Sequence, residues 1–147
     1  MKTIEIEPEG ELYKQALTLR YELFFKRHDL PWSILFDDKE SVSNHMAIIN
    51  DKLLLAYGRI TKREGNIYQI SQMVVSPNAQ RTGIGSILLK ELLSLAHNNG
   101  CHKIVLNARI EAKEFYEKLG FKCIGEIFCS KTTNIPHIKM IFEYNHT

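Results

Sequence analysis

Only three of the 147 residues are cysteine, Cys101, Cys123 and Cys129. The number is odd and no Cys-x-x-Cys pair occurs, which leaves neither a disulfide framework nor a metal-binding spacing. Cys101-His102 is too isolated to suggest a metal site, so no metal ligands are assigned and the thiols read as reduced, in a cytoplasmic protein. No apolar run approaches the roughly 20 residues that cross a bilayer. Met1-Lys2-Thr3-Ile4-Glu5-Ile6-Glu7 is a charged, strand-like start rather than a secretory signal. No dense Lys/Arg patch interleaved with aromatics is present, which argues against nucleic acid as a partner. Repeats, low-complexity tracts and linkers are also missing. The net charge of +2 and a pI near 8.4 are mildly basic and suit an anionic ligand. Hydrophobic content of 44% and charged content of 24% are those of an ordinary globular chain. The length fits one domain over residues 1–147 that buries roughly 70% of its unfolded surface.

The pattern of residues predicts an alternation of strands and helices. Thr3 to Glu7 alternates as a strand, and Glu11 to Arg27 follows as a helix. Its face of Leu12, Tyr13, Ala16, Leu17, Arg20, Tyr21, Leu23 and Phe24 is broad and mostly apolar. His28 to Asn44 is an irregular segment with room for a short helix. It holds Trp32, Ile34, Leu35 and Phe36, then an acidic cluster of Asp37, Asp38 and Glu40, and loops of this length are more often functional than idle. Strands are expected at His45 to Ile49, Lys52 to Thr61 and Tyr68 to Val75. Ser76-Pro77-Asn78 ends the third of these, because proline has no N–H for the ladder. A helix with apolar residues at Ile84, Ile87, Leu88, Leu92 and Leu95 comes next, ended by Asn98-Asn99-Gly100. Beyond it lie a strand from Lys103 to Ala108, a short helix from Ala112 to Leu119 with Gly120 at C′, and strands at Lys122 to Cys129 and Ile138 to Tyr144.

Between the third of those strands and the long helix stands Gln80-Arg81-Thr82-Gly83-Ile84-Gly85-Ser86. Glycines there let backbone N–H groups approach a ligand, and a helix start offers unpaired donors with a partial positive charge. Two common phosphate loops are excluded. No Lys-Ser/Thr pair follows the glycines, and Leu88 stands where a dinucleotide fingerprint needs its third glycine. Gln-x-x-Gly-x-Gly in this setting resembles the acetyl-CoA pyrophosphate loop of the GNAT superfamily of N-acetyltransferases. Phe115-Tyr116-Glu117-Lys118-Leu119-Gly120-Phe121 resembles a second signature of the same superfamily. Leu19-Arg20 with Phe24, the strand at His45, and Ile135-Pro136-His137 before the last strand are closest in pattern to its ElaA/YjcF-like branch.

The resemblance implies an α/β fold: a mixed, mostly antiparallel central sheet flanked by helices and splayed at the acetyl-CoA site. It further implies transfer of an acetyl group from acetyl-CoA to an amine in a ternary complex. Met73, Val74 and Val75 would pair with the pantetheine arm like an added strand, and residues 80–86 would hold the pyrophosphate. Tyr116 would protonate the departing thiolate. Two positions depart from the common pattern. Where many members carry a glutamate base on the central strand, this chain has Ser71 followed by Gln72. Where many carry a cofactor-binding asparagine before the signature tyrosine, it has Arg109, which either contacts the cofactor or is a surface arginine. His137 is then the first candidate for the base, with His45 and Glu126 as weaker ones, because imidazole titrates near neutral pH. His28, His97, His102 and His146 read as surface or capping residues. Cys129 offers an acetyl-cysteine route, although a lone strand cysteine is commonly a small apolar residue. The acidic cluster beside Trp32 and Phe36 suggests recognition of an amine cation. The acceptor itself is unspecified, a homodimer is left open, and a non-catalytic acyl-CoA-binding protein of the same fold is the alternative.

Overall fold

The computed structural model describes residues 1–144; the expectation for His146 lies outside them. The elements run β1 (Lys2–Ile6), α1 (Gly10–Phe24), β2 (Asn44–Asn50), β3 (Leu53–Lys62), β4 (Ile67–Val75), α2 (Ile84–Asn98), β5 (Lys103–Arg109), α3 (Lys113–Lys118), β6 (Lys122–Cys129) and β7 (Pro136–Glu143). The seven strands form one sheet in the order β1-β2-β3-β4-β5-β7-β6. Only β4 and β5 are parallel; every other neighbouring pair is antiparallel. This is the expected mixed, mostly antiparallel α/β sheet.

Strand period divides the side chains between two cores. On one face Ile60, Tyr68, Ile70, Ile104, Leu106, Ala108, Ile138 and Met140 pack with α2. On the other, Ala47, Ile49, Leu54, Tyr57 and Val74 pack with Tyr13, Ala16 and Leu17 of α1. The stripe that α2 buries is Ile84, Leu88, Leu89, Leu92 and Ala96. Leu89 and Ala96 therefore take the places expected for Ile87 and Leu95; Ile87 is 40% exposed. At 100° per residue the two patterns differ by a small rotation, and the sheet decides between them. Helix α1 also ends earlier than the sequence suggests. Past Phe24 the chain tightens into a 3-10 turn over Lys26–His28, closed by Asp29 in the left-handed region at φ 55°. Tyr21 Oη donates to Leu30 O at 2.6 Å and ties this corner back to the helix. Trp32–Leu35 is a second 3-10 turn, which buries Leu35.

Two irregularities in β4 break the regularity of the sheet near its centre. Its pairing with β5 stops at Gln69↔Val105, whereas its pairing with β3 continues to Val75. From there on β4 and β5 part, and β5 stays with β7 as far as Arg109↔His137. The second irregularity is a bulge: the register moves from Arg59↔Ser71 to Tyr57↔Val74, so β4 carries one residue more than β3. Gln72 sits inside it at φ 55°, a left-handed conformation that costs about 1–2 kcal/mol outside glycine. Opposite the bulge, Gly58 of β3 lets α2 come close. A Cβ there would stand 2.8 Å from Leu92 Cδ1 and 3.5 Å from Leu88 Cδ2, both on residues with no exposed surface. Gly58→Ala is therefore expected to overpack the core and lower unfolding stability by about 1–3 kcal/mol. Urea denaturation checks this; an unchanged midpoint and slope would show that α2 stands off the sheet.

Candidate active site

The parted strands form a cleft with β4 residues 70–75 on one side and β5 residues 106–109 on the other. At the far end of β4, Ser76 N–H donates to Leu55 O at 2.8 Å, and a 3-10 turn over Pro77–Ala79 carries the chain round to α2. The loop is bound to itself. Gln80 Nε2 donates to Val75 O at 3.1 Å, and Thr82 Oγ1 donates to Ala79 O. Arg81 and Gly83 both adopt positive φ, 65° and 84°, which turns the chain sharply into the helix. The first bond back into the helix is Ile87 N–H to Gly83 O at 3.2 Å, so the N–H groups of Ile84, Gly85 and Ser86 lack an intrahelical acceptor. Among the described residues no side chain caps them. Three donors and the positive helix end are thus free for an anion beside the cleft.

The two signature segments touch. A Cβ on Gly85 would stand 3.4 Å from Phe115 Cζ and 3.6 Å from Val75 Cγ2, so the glycine is what lets α3 lie against the first turn of α2. Next to Phe115, the ring of Tyr116 packs edge-on against Phe115 and Phe121 at 5.1 and 5.6 Å. Its hydroxyl lies 3.8 Å from Met73 Sδ, at the β4 wall. Burial pushes the Tyr116 hydroxyl up to about 12. It is therefore a protonated donor throughout the neutral range.

His137 is the second residue of β7, on the opposite face from α2 and directly across from Arg109. Its Nδ1 lies 2.8 Å from Ile135 O. A carbonyl only accepts, so Nδ1 carries a proton, and in the neutral ring the lone pair sits on Nε2. Its ring stacks at 6.0 Å on Phe128. Arg109 turns its guanidinium over the ring of Phe24, 4.9 Å from the centroid. It thus lies on the α1 face rather than beside the α2 loop. His45, weighed as a base, is buried: Nε2–H donates to Glu40 O at 3.0 Å and Nδ1 accepts from Tyr57 Oη at 2.5 Å. Burial lowers its pKa, and with both nitrogens engaged it has no lone pair to offer a substrate.

Residue patterns alone did not foresee the polar cluster behind the bulge. Arg20 and Arg59 are 0% and 1% exposed, and Glu40 is 5% exposed. The Glu40 carboxylate accepts both terminal nitrogens of Arg20 at 2.9 Å, Arg59 Nη1 at 2.8 Å and Tyr13 Oη at 2.5 Å. Arg59 also forks onto Asp37, at 2.8 and 3.1 Å. Both arginines reach the bulge: Arg20 Nε donates to Gln72 Oε1 at 3.3 Å, and Arg59 Nε to Ser71 Oγ at 3.0 Å. This corrects the reading of the acidic cluster. Two of its three carboxylates neutralise arginines, and only Asp38 is left for a cation. A signal was available, since Arg20 lies on the stripe of Tyr13, Ala16 and Leu17, and Arg59 interrupts an apolar strand. A charge on a buried face implies a buried partner.

The match to known proteins decides what this geometry belongs to. Residues 30–144 match the acetyltransferase (GNAT) domain. The chain belongs to the GNAT acetyltransferase family. Over 141 residues it is 28% identical to the uncharacterized N-acetyltransferase YjcF of Bacillus subtilis (strain 168), covering 96% of this chain and 99% of that protein. This end-to-end match bears out the ElaA/YjcF-like pattern. Escherichia coli ElaA has the same fold, with a TM-score of 0.84 at 23% identity over 97% of this chain and 100% of that one. So has an aminoglycoside 6'-N-acetyltransferase solved with coenzyme A, with a TM-score of 0.78 at 16% identity over 100% and 99% of the two chains. As a GNAT protein the chain is an acyltransferase. Among the described residues no helix is long and apolar enough to cross a membrane.

The GNAT cleft is backed by Glu40, whose ionisation links the site to stability. Burial raises its pKa, but the hydrogen bonds from Arg20 and Tyr13, the Arg20 charge and the Arg59 hydrogen bond outweigh that and bring it from 4.5 to about 2. A depressed carboxylate stabilises the fold fully above its unfolded pKa, and this contribution is lost as pH falls through the folded one. The window here is pH 4.5 to about 2. Glu40→Gln, which leaves two buried guanidinium groups short of a counter-charge, is expected to cost about 3–5 kcal/mol at pH 7. The gap from wild type should narrow as pH drops below 4.5. Denaturant melts across pH 7 to 3 check this, and a gap that stays constant would assign the loss to packing instead.

Proposed function

We propose that this GNAT protein transfers the acetyl group of acetyl-CoA to an amine by direct attack in a ternary complex. The observation that carries the reading is the parting of β4 from β5 beside a helix start with three unpaired N–H groups. The backbone edge of Met73, Val74 and Val75 would bond the pantetheine amides as a missing strand would. The segment Gln80, Arg81, Thr82, Gly83, Ile84, Gly85 and Ser86 would hold the pyrophosphate. Donors aimed at the thioester carbonyl from the same edge would stabilise the tetrahedral oxyanion.

An acceptor amine with a lysine-like pKa near 10 must shed a proton before it attacks. His137 takes that proton on Nε2, directly or through water, and support for this role is the Nδ1–H bond that fixes its tautomer. Nitrogen then bonds to the carbonyl carbon and sheds its second proton to solvent, the carbon–sulfur bond breaks, and Tyr116 gives its proton to the departing thiolate. Support for Tyr116 is a hydroxyl kept protonated by burial and turned to Met73. Solvent reprotonates the tyrosine and takes the proton from His137.

Two experiments separate binding from chemistry. Gly83 needs positive φ, and a branched side chain on Gly85 meets Phe115, so Gly83→Val and Gly85→Val should each weaken acetyl-CoA binding tenfold or more, about 1.4 kcal/mol. Calorimetry on folded variants that gives wild-type affinity removes the loop from the cofactor site. Tyr116→Phe keeps the ring and should lower kcat by about 10²–10⁴-fold with acetyl-CoA affinity unchanged. His137→Ala should erase the ascending limb that a base on the enzyme gives to the pH–rate profile. A thiol-release assay against an amine panel measures both. Unchanged kcat in Tyr116→Phe would return that residue to packing, and an unchanged pH profile would do the same for His137.

A further inference from the structure

We propose that the acceptor is an amine that also carries an anion, phosphate or carboxylate, held by Lys62, Arg63 and Lys139 at the fork where β4 leaves β5. This rests on the acetyl-transfer reading above and names the substrate class of its acceptor side. A cavity of about 920 Å³ opens at that fork, and its lining includes Lys62, Arg63, Glu64, Gln69, Asn107 and Lys139. Gln69 and Val105 are the last pair that joins the two strands, so the cavity lies at the root of the cleft. Its position is on the acceptor side. Asn107 and Lys139 pair across β5 and β7, on the face opposite the residues that pack against α2. Lys139 shares that face of β7 with His137, two residues away.

Charge on this face argues for an anion. Its buried carboxylate Glu40 and the neighbouring Asp37 are already neutralised by Arg20 and Arg59. Among the described residues, no ion pair involves Lys62, Arg63 or Lys139. Within the cavity wall three cations thus face one carboxylate, Glu64. Arg63 is also pre-positioned, because its Nη1 donates to Gln69 Oε1 from the cavity floor. A bare amine cation would be repelled here, whereas a phosphate or carboxylate on the same molecule would gain charge-assisted hydrogen bonds. Gln69 and Met73 are four residues apart on β4, about 13 Å of strand. The long cationic side chains shorten that gap to what a small aminated ligand spans.

Matched amine pairs test this: glucosamine against glucosamine 6-phosphate, and hexylamine against 6-aminohexanoate, each assayed by thiol release with acetyl-CoA. A preference of about 10–100-fold in kcat/KM for the anionic member of a pair is expected, the size of one or two charged hydrogen bonds. The phosphate pair and the carboxylate pair tell the two sources of charge apart. In Lys62→Gln with Lys139→Gln, the anionic-to-neutral ratio should fall to within about twofold of unity. Direct binding of the same four compounds by calorimetry, without acetyl-CoA, gives a readout that needs no turnover. Anion-dependent binding lost in the double variant, with no thiol release from any amine, would keep the anion site and remove acetyl transfer. Equal kcat/KM within both pairs, or a preference that survives in the double variant, would overturn the anion site and leave acetyl transfer standing.

Discussion

From Ile70 to Val75 the backbone of β4 has β3 on one side and, among the described residues, no strand on the other. A central strand with one empty edge carries N–H and C=O groups that cost about 1–3 kcal/mol each if they are buried without partners. The fold tolerates this because the edge faces a cleft, where water or a ligand amide can complete it. The bulge at Gln72 goes with the parting. One extra residue raises the local twist, and the left-handed turn of Gln72 redirects the strand just where β5 departs. Gly58 and Gly85 serve the same constraint from outside it. The first admits α2 to β3, and the second brings α3 up to the start of α2. Loop, cleft and Tyr116 are thereby held in one arrangement.

The buried arginines bear on the cleft from the other face. Taking two guanidinium groups and a carboxylate out of water is expensive, and such clusters are seldom the most stable way to fill a core. Here each nitrogen set ends on a group that a rigid bulge needs held. Arg20 binds Gln72, Arg59 binds Ser71, and Glu40 joins the two arginines to each other. Asp37 and Glu40 lie on the segment before β2, so the same ion pairs also fix that segment to the sheet. In many GNAT proteins a glutamate stands at the strand position of Ser71. The serine here accepts from Arg59.

Much of this was legible in the residues. Pro77 and the paired glycines marked the junction of β4 and α2, and Phe115 to Phe121 marked α3 with its closing Gly120. Strand and helix order followed from periodicity, with ends wrong by a few residues. The exceptions have physical causes. Ile87 and Leu89 are equally apolar, and only the position of the sheet chose the second for burial. Arg20 falls in sequence among apolar neighbours because periodicity records where a side chain points and not what it meets there. The acidic cluster reads in sequence as a site for a cation because its counter-ions come from α1 and β3, 20 and 19 residues away from Glu40.

By itself, then, the sequence determined the family, the succession of elements and the glycine junction between β4 and α2. These are local: a glycine with positive φ, a proline without a donor and an apolar repeat act within a few residues of themselves. Tertiary structure alone decided where β4 abandons β5, that Gln72 is the bulged residue, that Glu40 is occupied by two arginines, and that His45 is sealed while His137 keeps an open nitrogen. Each of these depends on which distant groups meet in a medium with no water to substitute for a missing partner, and sequence separation carries no record of that.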